Sequence, residues 1–212
     1  MRRHVEVPTA QTLRPSAREA IIDAAIEVFA RNPGASLDEV VARSGVGRTT
    51  LFRHFPQRAD LVRAAGLAAL DAVERGLADA DLGSGTALDR LLRLFEVLVP
   101  RGVAVHFVFV TAEILDDAAI VEATGRLDRY IVPVVEAALR DGGFEPSMPE
   151  AWIHDVFDAL LYCSWLAVAK GRVAPREAPR LLLRTFLHGL GVPLPRDPAL
   201  PGRTGDGKAR RR

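Results

Sequence analysis

The sequence predicts an all-α fold of about nine helices, on three observations. Apolar residues recur at three- and four-residue steps along most of the chain, the period of a one-sided helix. Serine followed three residues later by glutamate opens two of these stretches, a capping box that satisfies the free N–H groups of a helix start. The β-branched stretch "VAVHFVFVTAEIL", from Val103, has no second stretch to pair with as a strand, and it reads as a buried helix.

Residues 1–15 lack periodicity and read as a mobile basic arm. Ser16 and Glu19 begin the first helix, whose Ile21, Ile22, Ala25, Ile26 and Phe29 share a face opposite Arg18, Glu19, Asp23 and Glu27. Asn32-Pro33-Gly34 stops it. Ser36 and Glu39 begin a short second helix with Leu37, Val40 and Val41 inward. Gly45-Val46-Gly47 leaves room only for a turn, and glycine supplies the positive φ that lets two helices cross steeply. The third helix carries Leu51, Phe52 and Phe55 and ends at Pro56. One long helix then runs from Gln57 to about Ala80, with Leu61, Ala65, Ala68, Val73 and Leu77 for burial and Gly66 and Gly76 as weak points. "TALDRLLRLFEVLV" places Leu88, Leu91, Leu92, Phe95 and Leu98 on one face. After the buried segment come helices over about 117–140, with a bend near Pro133, 149–170 and 176–189, and then a disordered basic tail over 193–212.

Composition excludes several classes. Hydrophobic residues make up 49% and charged residues 26%, the balance of a soluble globular chain. No apolar run nears the ~18 residues of a membrane span. Glu6, Pro8 and Thr9 interrupt the segment after Arg2 and Arg3, so no signal peptide is expected. A single cysteine, Cys163, allows neither a disulfide framework nor a pair of soft metal ligands, and a cytoplasmic setting is expected. The net charge of +1 is unevenly spread: 10 Arg against 7 acids over 1–63 (+3), 13 bases against 19 acids over 64–200 (−6), and 5 bases against 1 acid over 201–212 (+4). Basic ends around an acidic middle suit a chain whose ends meet a polyanion. Enzyme motifs are missing: no G-x-S-x-G, no glycine-rich phosphate loop, no H-E-x-x-H. Asp116-Asp117 reads as a solvated helix end, and His154 and Asp155, adjacent on a helix, diverge by about 100° and make a poor metal pair. No enzyme, cofactor or metal is expected.

Residues 37–44 and 48–55, joined by a glycine turn, match a helix-turn-helix unit, whose second helix enters the major groove of DNA. A helix of eight residues is ~12 Å long, about the width of that groove. With Leu51 and Phe55 inward, Arg48, Thr49, Thr50, Arg53 and His54 remain outside. Arg can take both acceptors of a guanine edge, Thr can reach an edge or a thymine methyl, and the helix N-terminus favours a phosphate.

From Ser16 to Leu61 the chain resembles the DNA-binding domain of the TetR family of transcriptional repressors. The residues that carry the resemblance are an Ala-rich first helix ending in Phe29, the hydroxyl-capped second helix, "ARSGV", "TTLFRHF" and the basic entry to helix four at Arg58. The resemblance implies a helix-turn-helix DNA-binding domain over 16–62 and a helical-bundle regulatory and dimerisation domain over 63–192. It implies a homodimer on palindromic double-stranded operator DNA in the nucleoid, a repressor released by a small-molecule effector. It puts a phosphate contact on Ser36 and base reading on Arg48, Thr49, Thr50 and Arg53, at a helix starting from Gly47. Backbone contacts fall on Phe52, His54 and Arg58, with Arg14 and the arm reaching backbone or minor groove. Phe52 stands where the family often has Tyr, Arg58 where it often has Lys, and Gly47 where Ser or Thr is frequent.

For an effector pocket the candidates are Phe95, His106, Phe107, Phe109, Trp152, Tyr162 and Trp165 as apolar walls, with Glu113, Asp155 or Asp158 as polar anchor. Each aromatic also reads as ordinary core, and His106 as a hydrogen-bonded core histidine. The last two helices are the expected dimer surface, with Phe157, Leu160, Leu161, Leu182, Phe186 and Leu190. Coupling between effector and DNA would run through helix four, from Arg58 to Leu61. A rival reading is an all-helical enzyme or small-molecule-binding protein that uses no DNA.

Overall fold

A computed structural model of the chain describes residues 15–141 and 149–188. Among these residues it contains nine α-helices and no strand: α1 (Ala17–Arg31), α2 (Leu37–Ser44), α3 (Arg48–His54), α4 (Arg58–Asp79), α5 (Ala87–Leu98), α6 (Gly102–Val110), α7 (Ala118–Asp141), α8 (Glu150–Ala169) and α9 (Ala178–His188). Single 3₁₀ turns, Val99–Arg101 and Ala112–Ile114, flank α6. The expectations for the arm, Arg14, the tail and Leu190 lie outside the described residues.

Both serine capping boxes form. Ser16 Oγ accepts from Glu19 N at 3.2 Å and Glu19 Oε2 accepts from Ser16 N at 2.7 Å; the Ser36–Glu39 pair repeats this at 3.3 and 2.9 Å. A third box, missed in the sequence because its acid is Asp, opens α5 with Thr86 and Asp89 at 3.1 and 3.0 Å. Gly45 ends α2 in the left-handed region at φ 68°, where any other residue would be strained, and so redirects the chain into α3.

One continuous core runs through the described residues. Ile21, Ile22, Ala25 and Phe29 of α1 meet Val40 of α2 and Leu51 of α3 at its N-terminal end, and α4 extends it through Leu61, Ala65, Leu70, Val73 and Leu77. Helix α4 therefore crosses the expected boundary at residue 62 without a break and packs against α1, α6 and α7. Gly66 is a notch rather than a weakness. A Cβ there would lie 2.7 Å from Ile114 Cδ1 and 2.9 Å from Ile120 Cδ1, so α4 approaches the first turn of α7 and the segment before it closely only because it is absent.

Two expectations change. The inward face of α5 is Ala87, Leu91, Leu94, Phe95 and Leu98, with Leu88 42% exposed and Leu92 half-buried, because the stripe follows steps of four, three and one from Ala87. The β-branched segment is helical as read, but α6 stops at Thr111, whose buried hydroxyl donates to the Phe107 carbonyl at 2.6 Å. Helix α7 continues through Pro133.

Candidate nucleic-acid interface and effector cavity

The third helix is held from behind. Leu51 and Phe55 are buried against α1, at a gain of about 2 kcal/mol for each large apolar side chain removed from water. Gly47, Arg48, Thr49, Phe52 and Arg53 are exposed, with Thr50 and His54 half-buried on the flank. Residues 48, 49, 52 and 53 share one face of a helix, and that face meets solvent. Arg53 has no ion pair or hydrogen bond among the described residues, so its charge is presented outward. Arg48 is engaged: it pairs with Asp38 of α2 and its guanidinium lies 5.3 Å from the Phe52 ring centroid. Gly47 caps α3 without a side-chain hydrogen bond. The Ser36 hydroxyl accepts from Glu39 N and donates to Glu39 Oε1 at 3.3 Å, so a phosphate would have to compete with the capping box.

Arg58 departs from its expected role as a backbone contact. Its guanidinium lies 4.2 Å from the centroid of Phe29, Nη1 donates to the Ala35 carbonyl at 2.6 Å, Nη2 donates to that of Pro33, and Nε stands 3.6 Å from Glu113. The planar fork spans two carbonyls and an aromatic face in one posture, which turns the charge into the protein. Five residues on, Arg63 Nε donates to Asp117 Oδ2 at 2.7 Å. Asp117 Oδ1 accepts from Ala119 N and Ile120 N at 2.9 and 3.3 Å, capping α7. The Arg63 hydrogen bond, with help from these N–H groups, holds the Asp117 carboxyl below its usual range.

Behind α4 lies an apolar cavity of about 460 Å³, open on one side, between α4, α6, α7 and α8. Leu70 and Val73 form its floor; Val105, Val108 and Phe109 come from α6, Leu115 from the turn after it, and Ile120, Val121, Thr124 and Ile131 from α7. Helix α8 adds Phe157, Leu161 and the polar pair His154 and Asp158, which Asp128 of α7 joins. The size falls within the ~300–1,000 Å³ of small-molecule sites.

Of the expected wall residues, Phe109 lines this cavity and is 54% exposed at its open side, and Asp158 lines it as a polar group. His106 and Tyr162 line a smaller adjoining space. The others are displaced. Phe95 is fully buried and stacks on Phe157 at 5.6 Å with Phe186 edge-on at 6.1 Å, a core joint of α5, α8 and α9. Phe107 is core, stacked on Phe29 at 6.4 Å. Trp165 packs its Cβ and Cγ against Gly102, Trp152 is 58% exposed away from the cavity, Asp155 faces solvent, and Glu113 serves Arg58. Sequence reasoning missed Thr124 and Asp128, whose signal was a polar pair at i, i+4 running beside the apolar stripe of α7.

The expected dimer residues are mostly used within the chain. Phe157, Leu161, Leu182 and Phe186 are each at most 6% exposed, because Phe157 and Phe186 pack onto Phe95 of α5 and Leu161 turns toward the cavity, while Leu160 is half-buried. What the two helices leave outward is a shallow groove with Leu160, Cys163, Ala167, Val173 and Leu181.

A recognition helix anchored on an all-helical body defines the class: a helix-turn-helix regulator. The chain belongs to the TetR family of bacterial regulators. The profile "Bacterial regulatory proteins, tetR family" matches residues 21–65. The chain is 33% identical over 183 residues to the HTH-type transcriptional repressor LfrR of Mycolicibacterium smegmatis, covering 86% of this chain and 94% of LfrR. The crystal structure of LfrR in complex with proflavine superposes with a TM-score of 0.68 at 31% identity, over 82% of this chain and 96% of that one. A TetR family regulator from Marinobacter aquaeolei, 15% identical, shares the fold with a TM-score of 0.61 over 82% of this chain and 94% of its own. No helix of the described residues is long and apolar enough to cross a membrane.

Proposed function

We propose that this chain is a homodimeric repressor that holds a palindromic operator and releases it when a small molecule fills the cavity behind α4. One observation carries the reading: the segment that lines the cavity also holds the first turns of α4, where that helix leaves the DNA-binding unit. Leu115 and Ile120 line the cavity, and their neighbours Glu113 and Asp117 hold Arg58 and Arg63 at the start of α4. A molecule that displaces residues 113–120 draws on α4, and with it on the α1–α2 link that Arg58 grips. LfrR, named a repressor and solved with proflavine, supports a small-molecule effector for this chain too.

In this reading residues 16–62 bind DNA and 63–192 sense and dimerise. Arg53, Thr49, Arg48 and Thr50 read base edges from α3, while Ser36, Phe52 and His54 lie against the backbone. Two copies pair through α8 and α9 over Cys163, Ala167 and Leu181, and two-fold symmetry then sets the recognition helices one turn, ~34–36 Å, apart or a multiple of it. The test is a mobility shift against DNA upstream of the chain's own gene at several salt concentrations, alongside sedimentation. A dimer that shifts this DNA at low salt is expected. A folded dimer that shifts nothing sinks the reading and favours a small-molecule binder without DNA.

A further inference from the structure

Two arginines lie on the outward face of α3, and they are held differently. Arg53 has no ion pair or hydrogen bond among the described residues. Arg48 is held on two sides. Asp38 Oδ1 accepts from its Nη1, and its guanidinium carbon lies 5.3 Å from the centroid of the Phe52 ring, one turn further along α3. Asp38 stands in the first turn of α2 and Arg48 opens α3, so their pair spans the turn between the two helices.

The donors left over decide what Arg48 can recognise. A guanidinium carries its N–H groups in one rigid plane. The Asp38 carboxylate occupies Nη1, while Nη2 and Nε have no partner among the described residues. Those two nitrogens share an edge, and their parallel N–H groups form the fork that fits O6 and N7 of guanine in the major groove. An unheld arginine gives up rotamer freedom when it takes that edge, and Arg48 has lost part of this freedom beforehand. The pair does little for the fold itself. Both side chains are 63% exposed, and an ion pair so open to water stabilises a chain weakly. Asp38 also suits the positive end of α2, beside Glu39, but that role asks nothing of Arg48.

We propose that Asp38, which contacts no base itself, is a specificity-determining residue of the operator site: it aims Arg48 so that the Nε–Nη2 edge meets one guanine in each half-site. This rests on the reading of α3 as the helix that enters the major groove. The test selects duplexes bound by the full chain from a pool of random sequence and reads the base preference at every position. The wild-type chain should select a palindrome with a guanine in each half-site whose preference Arg48→Ala lowers about tenfold or more, the scale of one bidentate contact. Asp38→Asn should lower the preference at that same base pair about threefold, the scale of an exposed ion pair, and leave the other positions as they were. Asp38→Glu, which keeps the charge, should restore most of it. On an Arg48→Ala background, Asp38→Asn should change no base preference, because a charge lost from α2 then acts on all sequences alike. Placing 7-deazaguanine, which lacks the N7 acceptor, at the selected guanine should weaken the wild-type chain more than Asp38→Asn. A guanine preference that Asp38→Asn leaves at its wild-type value, or one that it lowers equally without Arg48, overturns the proposal. Failure of the repressor reading looks different: a folded wild-type dimer that enriches no sequence refutes that reading and this proposal with it.

Discussion

Arg58 illustrates how far a side chain's role depends on residues distant in sequence. Its position at the first turn of α4 is legible from the chain, but its direction is set by Phe29 and by two carbonyls 23 and 25 residues away. Removing a phosphate contact lowers the salt slope of DNA binding by about 0.9. We expect Arg58→Ala to leave the slope of operator binding unchanged and to cost about 2 kcal/mol in urea unfolding, the loss of two hydrogen bonds from a charged donor at a partly exposed site. A lower slope with intact stability would return Arg58 to the DNA. His106 makes a prediction in pH. Burial holds its pKa below the ordinary ~6.5, so beneath that value the unfolded state binds more protons than the folded one. Stability is therefore full above about pH 6.5 and falls as the solution is acidified below it. Asp158, whose raised pKa has the opposite sign, loses stability as pH climbs above about 3.9. Urea unfolding of His106→Gln at several pH values should show the acid-side slope flattened, and an unaltered slope would contradict the assignment.

At the scale of elements, most of the fold could be read because its signals are local. Capping serines, apolar steps and the Gly45 turn each act within a few residues. The exceptions share a cause: a stripe of Phe and Leu states that a face is buried, not by what. The pattern of Phe157, Leu161, Leu182 and Phe186 suits a face turned to a second copy, yet these side chains are buried in the chain's own core, Phe157 and Phe186 against each other and Phe157 on Phe95 of α5. The cavity was equally hidden, since it is a gap left where α4, α6, α7 and α8 diverge, and no residue type marks a gap. Helix α3 bears a prediction of its own. Gly47 caps it with φ −62° and ψ 147°, an ordinary cap geometry, and a Cβ there meets nothing within 4 Å. Gly47→Ser should stabilise the chain by a few tenths of a kcal/mol, roughly 0.3, through the missing cap hydrogen bond. Thermal unfolding reads the gain, and a loss would mean that the α2–α3 turn needs glycine for another reason.

For the whole molecule the question is how a cavity informs a distant helix. Asp117 does two jobs, capping α7 and holding Arg63, and asparagine performs the first about as well as aspartate. Asp117→Asn should thus keep the fold and the cavity while weakening the tie to α4. Operator affinity measured with and without effector should show the ratio reduced about threefold or more, within the ~0.5–2 kcal/mol that single residues contribute to coupling. Effector affinity without DNA should hold. An unchanged ratio would move the coupling to the packing around Gly66.

The Asp38–Arg48 pair bears on how such a protein finds its site. An arginine that already holds an anion gains little from a phosphate met at random, and Asp38 itself repels the DNA backbone. A guanine edge, accepting both donors in one plane, is the better offer. With α3 in the major groove as proposed above, this internal rival would shorten each fruitless stop among the ~10⁶ or more competing positions of a genome, so that Asp38, without touching DNA, would hasten the search.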